Sequence, residues 1–147
     1  MNLQRPIIWV HGDCLSPRHP ALIACPEAPA IFVWDEDLLA ALRVSLKRIV
    51  FMYECLLELP VTIRRGDVAA EVLAFANEHG ADGILTSDSP SPRFRRIRGR
   101  LAAALPVRVM PVEAFVRPTQ RPDLTRFSRY WRTIQAEALS DSSENAL

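Results

Sequence analysis

Short runs of β-branched and aromatic residues alternate with helix-period segments from residue 6 to residue 116. This alternation admits few folds. Each run reads as a strand followed by a crossover helix, and strands joined in that way lie parallel in a sheet covered on both faces. The runs fall at 7–11 (IIWVH), 30–34 (AIFVW), 61–64 (VTIR), 83–86 (GILT) and 107–110 (VRVM). They are almost continuously apolar, as strands buried on both faces must be. Right-handed crossovers then predict a three-layer, Rossmann-like α/β fold with a five-stranded parallel sheet in the order 3-2-1-4-5. A ligand crevice is expected above the carboxyl ends of strands 1 and 4, where the strand order reverses.

The intervening segments carry helix signals. Asp35 or Asp37 is placed to cap one long helix whose apolar residues Leu38, Leu42, Leu46, Ile49, Tyr53 and Leu56 recur every three or four positions, a stripe expected to face the core. Asp67 caps a second helix bearing Val68, Val72, Leu73 and Ala76, and Gly80 ends it in a left-handed C-cap. Ser91 before Pro92 starts a third helix, with Phe94, Ile97, Leu101 and Leu105 directed inward. Beyond Pro118 and Pro122 an amphipathic helix is expected at 124–138, through Phe127, Trp131 and Ile134. The whole of 1–139 reads as one α/β domain, and the polar end, 140–147, as a disordered tail.

Length and composition agree with a single core: 147 residues, 49% hydrophobic and 24% charged, with a net charge of +1. No apolar run approaches the roughly 20 residues of a membrane span, so a cytoplasmic location is the expectation. The three cysteines, Cys14, Cys25 and Cys55, make neither a CxxC pair nor an even set, and read as free thiols.

Candidate chemistry gathers at strand ends. His11, Gly12 and Asp13 close the first strand where this fold places ligands, and Gly12 would let a ligand approach the backbone. Trp34 and Asp35 end the second strand, and Thr86, Ser87 and Asp88 follow the fourth. A His–Asp pair can serve as a general acid and base. However, no nucleophile arrangement or metal-ligand spacing joins it, so the expectation is a binding site without catalysis. GxGxxG and GxxxxGK[ST] loops are absent, and TSDSPSP at 86–92 lacks the glycines of a phosphate nest. An ATP site like that of some universal stress proteins is therefore not expected.

The third helix carries Arg93, Arg95, Arg96, Arg98 and Arg100 without an acidic residue. Arg93, Arg96 and Arg100 share one face, and positive charge near a helix N-terminus opposes the macrodipole unless an anion or an acidic partner meets it. In the last helix Arg126, Arg129 and Arg132 interleave with Phe127, Tyr130 and Trp131. These aromatic residues fit another protein, or a second copy in a homodimer, better than nucleic acid, because they share a stripe suited to packing.

Several segments together resemble the N-terminal, antenna-type α/β domain of photolyases and cryptochromes. IIWVHGDCLSPRHPAL (7–22) is similar to the family's opening strand and Asn-Pro-Ala-Leu helix start, with Trp9, Asp13, Pro20, Ala21 and Leu22 matching. FVWDEDLL (32–39), SLKRIVFMYECLLEL (45–59), the Gly-Asp turn in VTIRRGDVAAEVLAFANEHGAD (61–82) and RPDLTRFSRYWRTI (121–134) follow in the family's order. His11 and Gly12 replace two family arginines, and Arg18-His19 replaces Asp-Asn. The resemblance implies a stand-alone domain without the helical flavin-binding half, and so no light-driven repair. Three roles follow as expectations: a non-enzymatic binding or adaptor protein docking through Arg93, Arg96, Arg100, Phe127, Tyr130 and Trp131; a carrier of a flavin, folate or nucleotide at His11, Gly12, Asp13, Trp34, Asp35, Thr86 and Asp88; or a split antenna subunit for a separate flavin domain.

Overall fold

The structure, a computed structural model, describes residues 3–114, 116, 118 and 121–139. The tail expected at 140–147 lies outside the described residues. The chain divides between Val112 and Glu113 into two compact units.

In the first unit five parallel strands, β1 (Pro6–Val10), β2 (Ala30–Trp34), β3 (Val61–Arg65), β4 (Gly83–Ser87) and β5 (Val107–Met110), form one sheet in the order β3-β2-β1-β4-β5. The order is the expected one. β1 sits in the centre, with Trp9 opposite Ile31 of β2 on one side and opposite Thr86 of β4 on the other.

The pleat sends alternate residues to two separate cores. Ile7 and Trp9, Ile31 and Val33, and Ile84 face one side, where α4 (Val68–Glu78) and α5 (Pro92–Ala102) cover them. Ile8 and Val10, Ala30 and Phe32, and Leu85 face the other, under α1 (Pro20–Ala24) and α3 (Leu46–Leu57). Trp9 stacks on Phe94 with ring centroids 5.5 Å apart, which fixes α5 against the central strand. Asp67 caps α4 by accepting from the Ala70 amide, and Gly80, at φ 57°, ends it in the left-handed conformation that a side chain disfavours.

The long helix expected after β2 is two helices. Asp35 caps α2 (Glu36–Ala41), Arg43 then adopts a left-handed φ of 47°, and Ser45 caps α3. The break turns the apolar residues away from their expected inward line. Of the six residues expected to face the core, only Leu56 is buried, while Leu42, Leu46 and Tyr53 are exposed.

In the second unit α6 (Phe127–Ala138) begins three residues later than expected. Asp123 accepts from Thr125 and pairs with Arg129, and Phe127 stacks on Trp131 at 6.0 Å between ring centroids. Among the described residues no helix is long and apolar enough to cross a membrane.

Candidate functional site

A cleft of about 960 Å³ opens over the carboxyl ends of β1 and β2, between the α2–α3 segment and the first turn of α5. One wall is apolar: Trp34, Leu38, Leu39, Leu42, Phe51 and Met52. Its charged lining is Asp13, Asp35, Arg43, Arg48 and Arg93, an excess of one positive charge. Helices α2, α4 and α5 all begin at this end of the sheet, as parallel topology requires, and Asp35 and Asp67 cap the first two.

His11 anchors the β1 end. Its Nε2 lies 3.0 Å from the Ser87 carbonyl oxygen and 3.0 Å from Ser87 Oγ. A carbonyl only accepts, so Nε2 carries the proton and Nδ1 is left as an acceptor. That Nδ1 has no hydrogen-bond partner among the described residues, and Asp13 Oδ2, at 3.9 Å, is an acceptor as well. Burial, the largest influence, holds the His11 imidazole below its ordinary pKa despite the Ser87 carbonyl and Asp13. Asp13 Oδ2 itself accepts from Ser89 Oγ at 2.6 Å, which fixes the carboxylate at the rim.

Ser87, His11 and Asp13 are the residue types of a nucleophilic relay, but their geometry is different. Ser87 is fully buried, and an Nε2 that donates to a carbonyl cannot take a proton from a hydroxyl. The group orients the β1–α1 and β4–α5 loops. Beneath it His19, also fully buried, has no partner in another residue for either ring nitrogen, and burial followed by the nearby His11 lowers its pKa to about 4. Among the described residues no group of three His, Cys, Asp or Glu side chains could hold a metal ion.

The expected site residues divide. His11, Gly12, Asp13, Trp34 and Asp35 all line the cleft. Thr86 does not: it is buried, and its hydroxyl donates to the Trp9 carbonyl at 2.8 Å, a bond within the sheet. Asp88 is exposed outside the lining, and its carboxylate accepts from the Ser89 amide. Sequence reasoning missed Arg43, Arg48 and Phe51, since a single long helix would have carried them past the site.

The arginine face of α5 finds its acids within the chain. Arg93 Nη2 donates to Asp35 Oδ2 at 2.7 Å, and Arg100 donates through both terminal nitrogens to Asp67 at 2.7 and 2.8 Å. Burial works against the Asp35 carboxylate, yet Arg93 and the Leu38 amide outweigh it and keep its pKa low. Arg100 is the main cause of the lowered pKa of Asp67. Arg96 remains exposed. The acids that cap α2 and α4 thus meet two of the three arginines expected to dock a partner.

The fold is a Rossmann-like α/β domain, and its cleft lies over β1 and β2 rather than over β1 and β4, where the strand order reverses and the sequence places the crevice. No protein-family profile and no curated protein matches the sequence. Among solved structures, hypothetical protein MJ0577 aligns at 14% identity over 75% of this chain and 98% of its own, with a TM-score of 0.45. A universal stress protein solved in complex with cAMP aligns at 15% identity over 74% and 97%, with a TM-score of 0.37. These neighbours are not photolyases or cryptochromes, so the expected kinship with that family, and with it the antenna role, is withdrawn. The motifs that carried it have local explanations. Trp9 is a core residue stacked on Phe94, Pro20 opens a short helix, and Gly66-Asp67 is a turn and helix cap.

Proposed function

We propose that this chain is a small-ligand-binding protein, and that the ligand is a nucleotide seated in the cleft above β1 and β2. The reading rests on one observation: a single cavity of about 960 Å³ combines an apolar wall with a rim carrying three arginines and two aspartates. That size lies toward the upper end of the ~300–1,000 Å³ of ordinary ligand pockets. A flat base fits the wall of Trp34, Phe51 and the α2 leucines. Ribose or base donors meet Asp13, and the phosphate meets Arg43 and Arg48. In the loop at 86–92, Ser87 and Ser89 take no part in phosphate binding, because both are buried in bonds to His11 and Asp13.

Binding without catalysis is part of the reading, since Ser87, the serine that contacts His11, is fully buried. The adaptor reading loses ground because Arg93 and Arg100 are already paired within the chain. Calorimetric titration with AMP, ADP, ATP, cyclic AMP, FMN and adenosine tests the proposal. Micromolar binding of at least one nucleotide, weakened about tenfold or more by Arg48→Gln, supports it. Failure of every nucleotide to bind at millimolar concentration, or binding that Arg48→Gln and Phe51→Ala leave unchanged, rejects it.

A further inference from the structure

Helix α3 has two opposite working faces. Arg48 and Phe51 look toward the cleft, whereas Leu46, Val50, Tyr53 and Leu57 point away from it at 74%, 45%, 47% and 65% exposure. At about 100° per residue those four positions fall on one narrow line along the helix, spaced four, three and four residues apart. This is the spacing of a coiled-coil seam. In a monomer an apolar seam of this kind lies open to water, which soluble surfaces avoid.

The charges beside the seam indicate what covers it. Lys47 flanks its amino end and Glu54 its carboxyl half, on the same side. If a second α3 runs antiparallel, Leu46 meets Leu57 of the second copy, Val50 meets Tyr53, and Lys47 lies beside Glu54, twice over by symmetry. In a parallel pair Lys47 and Glu54 would instead fall on opposite flanks of the seam from those of the second copy, and the charges would not meet. The pattern is thus complementary to itself under a two-fold axis, as an isologous interface must be. We propose that this face of α3 is a homodimer interface in which two copies pair their α3 helices antiparallel. The pairing uses neither the arginine face of α5 nor α6.

Sedimentation velocity on the full chain, from micromolar to sub-millimolar concentration, tests the pairing. The wild type is expected to dimerise reversibly. Leu46→Glu abolishes the dimer, because it places a carboxylate in the seam of both copies. Lys47→Glu and Glu54→Lys each weaken it roughly five- to tenfold, and the two changes together restore it, since the pairs are merely exchanged. All these sites are exposed, and circular dichroism confirms that each variant is folded. A monomer at every concentration overturns the proposal, including one in which residues 113–147 or a different protein cover α3. So does a dimer that survives Leu46→Glu, or a double charge exchange no better than its single parents.

Discussion

Asp35 accepts hydrogen bonds from the Leu38 amide at 3.0 Å and from Arg93 at 2.7 Å, so one carboxylate caps α2 and ties it to the first turn of α5 across the cleft. The two jobs separate by substitution. Asp35→Asn keeps a capping oxygen and loses the charge, whereas Asp35→Ala loses both and leaves the half-buried Arg93 unpaired. Urea unfolding should show a loss of about 1–2 kcal/mol for the alanine variant and clearly less for the asparagine variant. Equal losses would mean that the cap contributes nothing.

His19 makes acid stability a sharp test. It titrates near its ordinary 6.5 when unfolded and at about 4 when folded, because the buried ring resists charging. The unfolded chain therefore binds the extra proton first, and stability, full above pH 6.5, falls as the pH drops toward 4 and then levels off. At about 1.4 kcal/mol per pKa unit the loss is on the order of 3 kcal/mol. His11, shifted in the same direction, adds to it. His19→Leu should flatten the dependence and cost little at pH 7.5, since neither ring nitrogen has a partner in another residue to lose. A urea midpoint that changes equally with pH in both proteins would remove His19 as the cause.

Arg43 sets stability against binding. It is the one non-glycine residue with positive φ among the described residues, and it lines the cleft. Left-handed backbone costs a residue with a Cβ roughly 1–2 kcal/mol, partly offset by the entropy that glycine loses on folding. Arg43→Gly should thus raise stability by about 0.5–1 kcal/mol. It should also weaken nucleotide binding, by roughly tenfold if the guanidinium holds the phosphate. Melting temperature and titration read the two effects separately, and unchanged affinity would take Arg43 out of the site.

Gly12 lies outside the left-handed region, so its backbone does not require glycine. A Cβ there would meet the terminal methyl of Met52 at 3.3 Å, the movable end of a flexible side chain. Gly12→Ala should therefore change stability by less than about 1 kcal/mol while pushing Met52 against the ligand. A several-fold loss of nucleotide affinity at constant stability is the expected result. Affinity equal to that of the wild type would place the ligand away from the β1 end.

The sheet was legible because its signal is local and repeated. Continuous apolar runs such as AIFVW give the strands, and handedness leaves little choice in their order. Asp67, Ser91 and Gly80 likewise announce helix ends through short-range bonding. Arg43 was not legible, since a left-handed arginine between two helix-period segments carries no residue signature, and without it α2 and α3 merge. That one residue hid the turn that brings Arg48 and Phe51 to the cleft. Thr86 and Asp88 were misplaced for another reason: lying at a strand end does not say whether a hydroxyl turns into the sheet or a carboxylate back onto its own loop. The photolyase-like motifs failed because core tryptophans, Gly-Asp caps and leucine-rich helices serve any parallel α/β sheet.

The sheet grips its helices unevenly. Helix α4 seats Val68, Ala69, Val72, Phe75 and Ala76 in the core, whereas α3, of similar length, seats Leu56 alone. Opening α3 uncovers little apolar area, so its amides should exchange with deuterated solvent well before those of α4, at a free energy far below that of global unfolding. The slow and fast faces of one small protein would then be told apart by isotope uptake, and whatever seals either side of α3 should announce itself as protection in those twelve residues.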